Sequence, residues 1–490
     1  MAIDPRTPVI VGAAQVTDRV DDPTRARTPL ELMVDALHSA AIDADAPGCL
    51  SGLGLIGVAG GLWRYSDPGH QIADIVGAAG ADTLVTSWSG HSPQLLLNDL
   101  ATRIQAGEVD AAAMLGGEVN ASRRRARRLG VDIRRDHDAD LPPAEQFGET
   151  LVIATPEEEA RGVDAPITVY PLIDSSFRYA RGESIDEHRR RLGELWAGFN
   201  AVAVDNPHAA VRTPMTADEI TTPTDRNRLV GAPYTVAMNA NNSVDQASAV
   251  LLLSAERAGA LGVPRDRWVF PLSGSVGVET LSISERWELH RAPALRLAGE
   301  AAMDAARLGI DDLAHIDLYS CFPSAVQVSS AELGIGLDRP LTVTGGLTFA
   351  GGPFVNYSGQ AIAALVRCMR ERPGPGLVHA NGGYATKHAF GVYGTEPPGR
   401  PYRSIDVRAA TDDLPTRSVD HPYVGTATIE AYTVMHGRDG IPTHALVALR
   451  TPDDARTWGQ TRDPERLTAM TTDEHIGRTA EVDPDGVVAA

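Results

Sequence analysis

Apolar residues along this chain collect in short unbroken runs, separated by stretches where they recur every three or four positions. That is the pattern of strands buried on both faces alternating with amphipathic helices. Residues 8–14 read as a strand, 29–44 as a helix and 53–59 as a second strand. Residues 86–118 (TSWSGHSPQLLLNDLATRIQAGEVDAAAMLGGE) then give a strand end, a tight elbow, a buried helix and a further strand. Ser92 is placed to cap that helix, and Pro93 suits its first turn because a missing N–H costs nothing there. Leu96, Leu97, Leu100, Ala101 and Ile104 fall on one apolar stripe. A helix N-terminus is thereby aimed at the elbow, where its dipole and free N–H groups favour negative charge.

From Arg123 to about Val230 the chain is rich in Pro, Arg, Asp and Glu, and the periodicity weakens. Regular patterning returns over 238–253 (MNANNSVDQASAVLLL), with a helix over 255–261 that Gly262 ends. After Pro264 the alternation starts again: strand 268–272, helix 292–308, strand 315–319, a helix from Pro323, a strand near 341–344, helix 360–370 and strand 376–380. Two successive runs of strand, helix, strand, helix, strand predict an internal duplication. Residues 397–422 read as a linker. Beyond it, 427–435 and 445–449 alternate around HGRDG as a hairpin, and 455–458, 475–478 and 487–489 continue a small β-rich unit. The expected organisation is an N-terminal half (1–264) carrying an inserted loop domain (119–230), a C-terminal half (265–396), a linker (397–422) and a small OB-like barrel (423–490).

A chain of 490 residues has ample material for a core and for several domains. Its 44 basic residues include one lysine, Lys387, which reads as compositional bias toward arginine. A formal charge of −20 argues against duplex nucleic acid and against an anionic membrane surface. The tail from Pro401 carries 9 Arg against 15 Asp and Glu, so its barrel lacks the charge for a phosphate backbone. Cys49, Cys321 and Cys368 are odd in number and far apart, which gives neither a zinc spacing nor a disulfide framework. With no signal-like start and no long apolar run, the simplest expectation is a cytoplasmic protein without a metal.

The elbow segment resembles the nucleophile region of thiolases, which reads roughly C-x-S-G, then a helix, then G-D-A-D and a glycine-rich strand. Residues 242–263 (NSVDQASAVLLLSAERAGALGV) look like the thiolase segment that closes the first half, and Asn206-Pro207-His208-Ala209 look like the N-P-x-A of the loop domain. The resemblance spans about residues 8–395. It implies an α/β thiolase fold of two duplicated βαβαβαββ halves in αβαβα layers, with an inserted loop domain and, here, a C-terminal β-barrel.

By that resemblance Ser87 stands where the family keeps its nucleophilic cysteine. A serine hydroxyl is not ionised at neutral pH and needs an adjacent base, for which His91 is the nearest candidate; the bland alternative is a small residue filling the elbow. Gly351-Gly352-Pro353 matches the G-H-P loop, so Gly352 replaces the histidine base beside Pro353. Tyr319-Ser320-Cys321-Phe322 matches H-D-C-F, keeping the thiol of Cys321 and placing Tyr319 at the water-holding position. Asn381, Gly382 and Gly383 match the C-x-G loop, and Lys387-His388 with Gly391 resembles H-N-x-G. Cys321 and His388 are therefore either proton-transfer groups or buried structural residues. Arg123, Arg124, Arg125, Arg127 and Arg128, followed by Arg134 and Arg135, form either a solvated helix face or a grip on coenzyme A phosphates.

The implied activity is an acyltransferase of the acetyl-CoA acetyltransferase type in lipid metabolism. Coenzyme A or an acyl-CoA would be the ligand between the halves, with no permanently held cofactor. The altered loops predict weak or absent thiolysis. Two alternatives stand beside it: a catalytically silent acyl-CoA carrier or sensor, and a lyase performing retro-aldol cleavage of a CoA-linked substrate. The resemblance also implies a homodimer, with a monomer as the alternative, and a protein partner through the barrel. With few contacts expected across the linker, a core cut after Gly399 is expected to fold alone.

Overall fold

The computed structural model describes residues 3–134, 141–150 and 152–489, and in it the apolar runs form two stacked sheets. The first half supplies β1 (Pro8–Thr17), β2 (Leu55–Val58), β3 (Asp82–Thr86), β4 (Ala111–Val119) and β5 (Glu145–Phe147). A short hairpin, β6 (Leu229–Gly231) and β7 (Tyr234–Thr235), precedes the closing strand β8 (Asp245–Ser254). Their order is β1-β8-β4-β2-β3-β5, with β8 antiparallel to both of its neighbours. The second half supplies β9 (Phe270–Val278), β10 (His315–Asp317), β11 (Gly376–Gly382) and β12 (Lys387–Gly394), ordered β10-β11-β12-β9. In each half the first strand pairs antiparallel with the closing strand, which pairs antiparallel on its other side with a central strand, β4 in the first half and β11 in the second. That central strand pairs parallel with an earlier strand. The duplication is thus written in the strand order.

Both faces of each sheet are covered, which is why the strands read as continuous apolar runs. Helix α1 (Pro29–Asp43) and α2 (Pro68–Val76) cover the outer face of the first sheet, where Val9, Val11, Ile56, Ala113 and Leu251 point. The alternate residues Ile10, Leu55, Met114, Val250 and Leu252 face inward onto α3 (Ser92–Ala106). After α4 (Asn120–Leu129), the inserted region contributes α5 (Pro166–Ala180) and α6 (Ile185–Asp205). The second half adds α7 (Pro293–Ala306), α8 (Pro323–Leu333) and α9 (Tyr357–Glu371). Helix α9 lies with α3 between the sheets; α7 and α8 close the far side. The result is five αβαβα layers.

Several local expectations give way to tertiary partners. Ser92 does not cap α3: its hydroxyl donates to the Ser87 carbonyl, and His91 occupies the cap position without a side-chain bond. Residues 341–344 form no strand. Their backbone and hydroxyls turn instead to the buried Asp317 carboxylate, which accepts from Val343 N and from Thr342 Oγ1, each at 2.9 Å. Residues 387–394, for which the sequence pattern predicts no element, form the fully buried β12.

The tail forms β14 (Gly425–His436), β15 (Pro442–Arg450) and β16 (Arg456–Thr461), then helix α10 (Pro464–Thr472), then β17 (Thr479–Val482) and β18 (Val488–Ala489); β13 (Ser404–Asp406) precedes them. Residues 475–478 are a turn between α10 and β17, not a strand. A parallel bridge between Gln460 and Val487 closes the circuit β14-β15-β16-β18-β17 into a five-stranded barrel. Residues 397–422 are not a free tether. Strand β13 extends the second sheet along β9, Tyr402 is buried with its hydroxyl donating to Asn98 Oδ1, and Arg417 donates to the Trp287 carbonyl. The barrel itself shares a core with the rest. Ala431, Leu446, Ala448 and Trp458 pack in one cluster with residues of α5, α6 and α8.

Candidate active site

Strand β3 ends at Thr86, and the chain turns through Ser87-Trp88-Ser89-Gly90 into α3. Ser87 is buried, its N–H donates to the Phe147 carbonyl of β5, and its hydroxyl has no hydrogen bond among the described residues. His91 does not reach it. The imidazole instead pairs with Ser89, whose Oγ lies 2.7 Å from His91 Nδ1. Burial, then the charges of Lys387 and Arg408, hold His91 down to about 3, so it is a neutral imidazole at physiological pH. A hydroxyl and a neutral base within hydrogen-bond reach, beside a helix N-terminus, constitute the chemically equipped part of the elbow.

Two glycines let a second loop approach. A Cβ on Gly90 would overlap the Asn381 carbonyl oxygen and the Tyr319 hydroxyl. A Cβ on Gly382 would overlap Ser89 Oγ and come within 3.3 Å of His91 Nδ1. Gly382 pairs directly with Lys387 across β11 and β12, so their side-chain positions share a face. Lys387 therefore projects toward the Ser89–His91 pair. It is 4% exposed and makes no hydrogen bond or ion pair among the described residues. Burial lowers its pKa.

The other loops converge here with different chemistry. Burial pushes the Cys321 thiol up to about 12, despite the Tyr170 hydroxyl and Asn381 side chain beside it. Tyr170, from α5, receives the Asn381 amide at 2.8 Å and the Ala385 N–H at 3.1 Å, and donates to the Gly383 carbonyl. Tyr319 is buried, set edge-on to Tyr357, and burial raises its pKa. The Gly351-Gly352-Pro353 loop reaches the elbow through Phe354, whose ring meets the exposed Trp88 edge-on at 5.4 Å. Phe354 (φ 51°) and Ala385 (φ 54°) hold left-handed backbone that side-chain-bearing residues rarely adopt, and both flank the elbow. His388 lies on the face of β12 opposite Lys387. Its Nδ1 is 3.2 Å from His379 Nε2 and its Nε2 3.2 Å from the Ala385 carbonyl, and burial keeps it neutral.

The arginine run forms α4, which follows β4 and starts at the same end of the sheet as the elbow. Arg123 is tied to Glu118 at 2.8 Å, and Arg125 to the Val20 and Asp21 carbonyls. Arg124, Arg127 and Arg128 are exposed and unpaired among the described residues, Arg134 pairs with Glu31, and Arg135 lies outside the described residues. Sequence reasoning missed Ser89, Tyr170 and the direction of Lys387. The first had a local signal, a hydroxyl two residues before His91. The others depend on long-range contacts.

The duplicated sheets, the two central helices and the helix-tipped elbow between them define a thiolase fold. A family model described as the thiolase-like protein type 1 additional C-terminal domain matches residues 406–487. A monomeric SCP2-thiolase-like protein type 1 from Mycobacterium smegmatis is 30% identical, with 99% of this chain and 98% of that one covered at a TM-score of 0.83. The chain belongs to this family of SCP2-thiolase-like proteins type 1. More distant structures share the fold: an Ltp2–ChsH2(DUF35) aldolase (16% identity, 80% of this chain and 98% of that one, TM-score 0.62) and the dimeric peroxisomal thiolase of Saccharomyces cerevisiae (13%, 81% and 99%, TM-score 0.57). No curated protein sequence matches the chain.

Proposed function

We propose that this chain binds an acyl-CoA thioester at the elbow and does not carry out cysteine thiolysis. One observation carries the reading: the base at the elbow is paired with Ser89, while Ser87 has none. The thiol nearby is no substitute, because a group with a pKa near 12 supplies almost no thiolate at neutral pH. Binding is supported by the position of the elbow at the carboxyl ends of parallel strands and by three arginines of α4 at that end that are unpaired among the described residues. The exposed ring of Trp88 offers an aromatic face beside the elbow. The tail circuit, with its helix between third and fourth strands, has the order of an OB barrel, and we read it as a covering wall rather than a nucleic-acid module.

A second reading, a lyase performing retro-aldol cleavage, is favoured by a neutral imidazole at the elbow beside an unpartnered amine. An aldolase with the same fold is consistent with it. Acetoacetyl-CoA thiolysis is expected at background, and a turnover of about 1 s⁻¹, within the ordinary enzyme range, would overturn this. Calorimetry is expected to detect coenzyme A binding that weakens, with a shallower salt dependence, in an Arg124→Ala/Arg127→Ala/Arg128→Ala variant. Unchanged affinity would return those arginines to a solvated face.

A further inference from the structure

The one lysine of this chain is spent inside the protein. Among 44 basic residues the other 43 are arginine, and an amine at position 387 can do chemistry that a guanidinium cannot. An arginine is always charged and cannot form an imine, whereas a lysine amine can lose its proton and attack a carbonyl.

The placement fits that chemistry. Lys387 shares its sheet face with Gly382, and the space above Gly382 is filled by Ser89 Oγ and His91 Nδ1. Further along β12, Gly391 and Tyr393 meet Gln94 in the first turn of α3, with Tyr393 donating to Gln94 Oε1 at 2.9 Å. The amine therefore lies toward the N-terminal end of α3, where the helix dipole opposes a positive charge. No carboxylate among the described residues pairs with it. Carboxylates of the same sheet region are committed elsewhere: Glu279 accepts from Ala294 N and Thr280 N, and Asp406 holds Arg408. His91, which feels the positive charges of both Lys387 and Arg408, is neutral. His388 and His379 occupy the opposite face of the sheet. Burial without a counter-ion favours the free amine.

We propose that Lys387 captures a ketone or aldehyde substrate as an imine at the elbow, making this the site of a Schiff-base carbon–carbon lyase for β-hydroxy ketones. This rests on the reading that a carbonyl compound binds at the elbow. The amine lone pair attacks the carbonyl carbon, the oxygen takes up protons and leaves as water, and an iminium remains. His91 removes the proton of the β-hydroxyl. The Cα–Cβ bond breaks, its electrons flow into the iminium, and the carbinol carbon departs from the resulting enamine as an aldehyde or ketone. The enamine carbon takes the proton back from His91, and water hydrolyses the iminium to ketone and free amine. Ser89, hydrogen-bonded to Nδ1, is a positioning residue that orients the imidazole.

The test uses the full-length protein with pentane-2,4-dione, which converts a reactive amine to a conjugated enaminone, and with 4-hydroxy-4-methylpentan-2-one followed by borohydride. The chain has one lysine, so peptide mass mapping separates Lys387 from the α-amino group without ambiguity. Labelling of Lys387 is expected at least ten-fold faster at pH 7 than labelling of N-acetyl-lysine amide, with one reduced adduct per chain on the Lys387 peptide. Labelling no faster than the model amine, or an adduct confined to the α-amino group, overturns the proposal. Because both readouts are made on the natural protein, an unfolded Lys387→Met variant does not blunt the test. Coenzyme A binding is measured on the same preparation. Its loss with Lys387 labelling intact overturns the acyl-CoA reading alone, and its presence with Lys387 unlabelled overturns the imine alone.

Discussion

His91 and His379 stay neutral in the fold because burial holds both down to about 3, and burial likewise lowers His208 to about 4. In the unfolded chain each would protonate near 6.5. Between those values the unfolded state binds more protons than the native state, so stability rises with pH through this window and is lost on acidification. Asp317 works the other way. Burial raises it from 3.8 to about 6, so its proton is held in the folded state and its contribution falls as pH rises through that range. Three imidazoles outweigh one carboxyl. The melting temperature is expected to fall from pH 7 to pH 5, and less steeply in His379→Gln than in the natural protein. Equal slopes in the two would remove His379 from this account. The positions of Ser87 and Gly352 were legible in the sequence because each sits in a local motif. The pairing of His91 with Ser89 was not, since nothing in S-W-S-G-H says which hydroxyl the ring turns toward.

At the scale of elements, the elbow works because two loops from different halves touch backbone to backbone. Gly90 permits that contact, and Gly90→Ala would push a methyl into the Asn381 carbonyl and the Tyr319 hydroxyl. Overpacking of this kind costs about 1–3 kcal/mol. Urea unfolding is expected to show a midpoint shift of that size with an unchanged slope, and a variant as stable as the parent would mean the loops are not held together. Strand β12 illustrates why some elements escape sequence reading. KHAFGVYG looks like a loop because a lysine and a histidine open it. It is a strand because alternation sends Lys387 to the elbow and His388 to a partner histidine on the other face, so neither charge breaks the ladder.

For the whole molecule, the barrel is part of the architecture rather than an appendage. Arg456, fully buried, donates to the Ile283 and Ser284 carbonyls and pairs with Glu430, Arg178 pairs with Glu474, and β14 meets β6 of the inserted region. Truncation after Gly399 would also remove β13 from the second sheet and uncover the cluster around Ala431 and Trp458. The truncated chain is therefore expected to aggregate or to lose its cooperative thermal transition, contrary to what a Pro- and Asp-rich linker suggests. A soluble core melting within a few degrees of the full chain would refute this. Strand β5 has a second consequence. It covers the edge of β3 beside the elbow, occupying with this chain's own backbone an edge that could otherwise pair with a second copy. Light scattering is accordingly expected to give the mass of one chain.

Apolar runs, helical stripes and their repetition determined the two halves and the helix aimed at the elbow, because these follow from local periodicity and burial on both sheet faces, while the layering followed from the resemblance to thiolases. The substituted loops likewise told that a cysteine nucleophile and its histidine were missing. Tertiary structure alone decided which hydroxyl meets His91, that β5 seals the sheet edge, that residues 397–422 are docked, and that the only lysine faces the elbow. Each of these depends on contacts between positions far apart in the chain, where side-chain direction is set by strand register and packing rather than by neighbours in sequence.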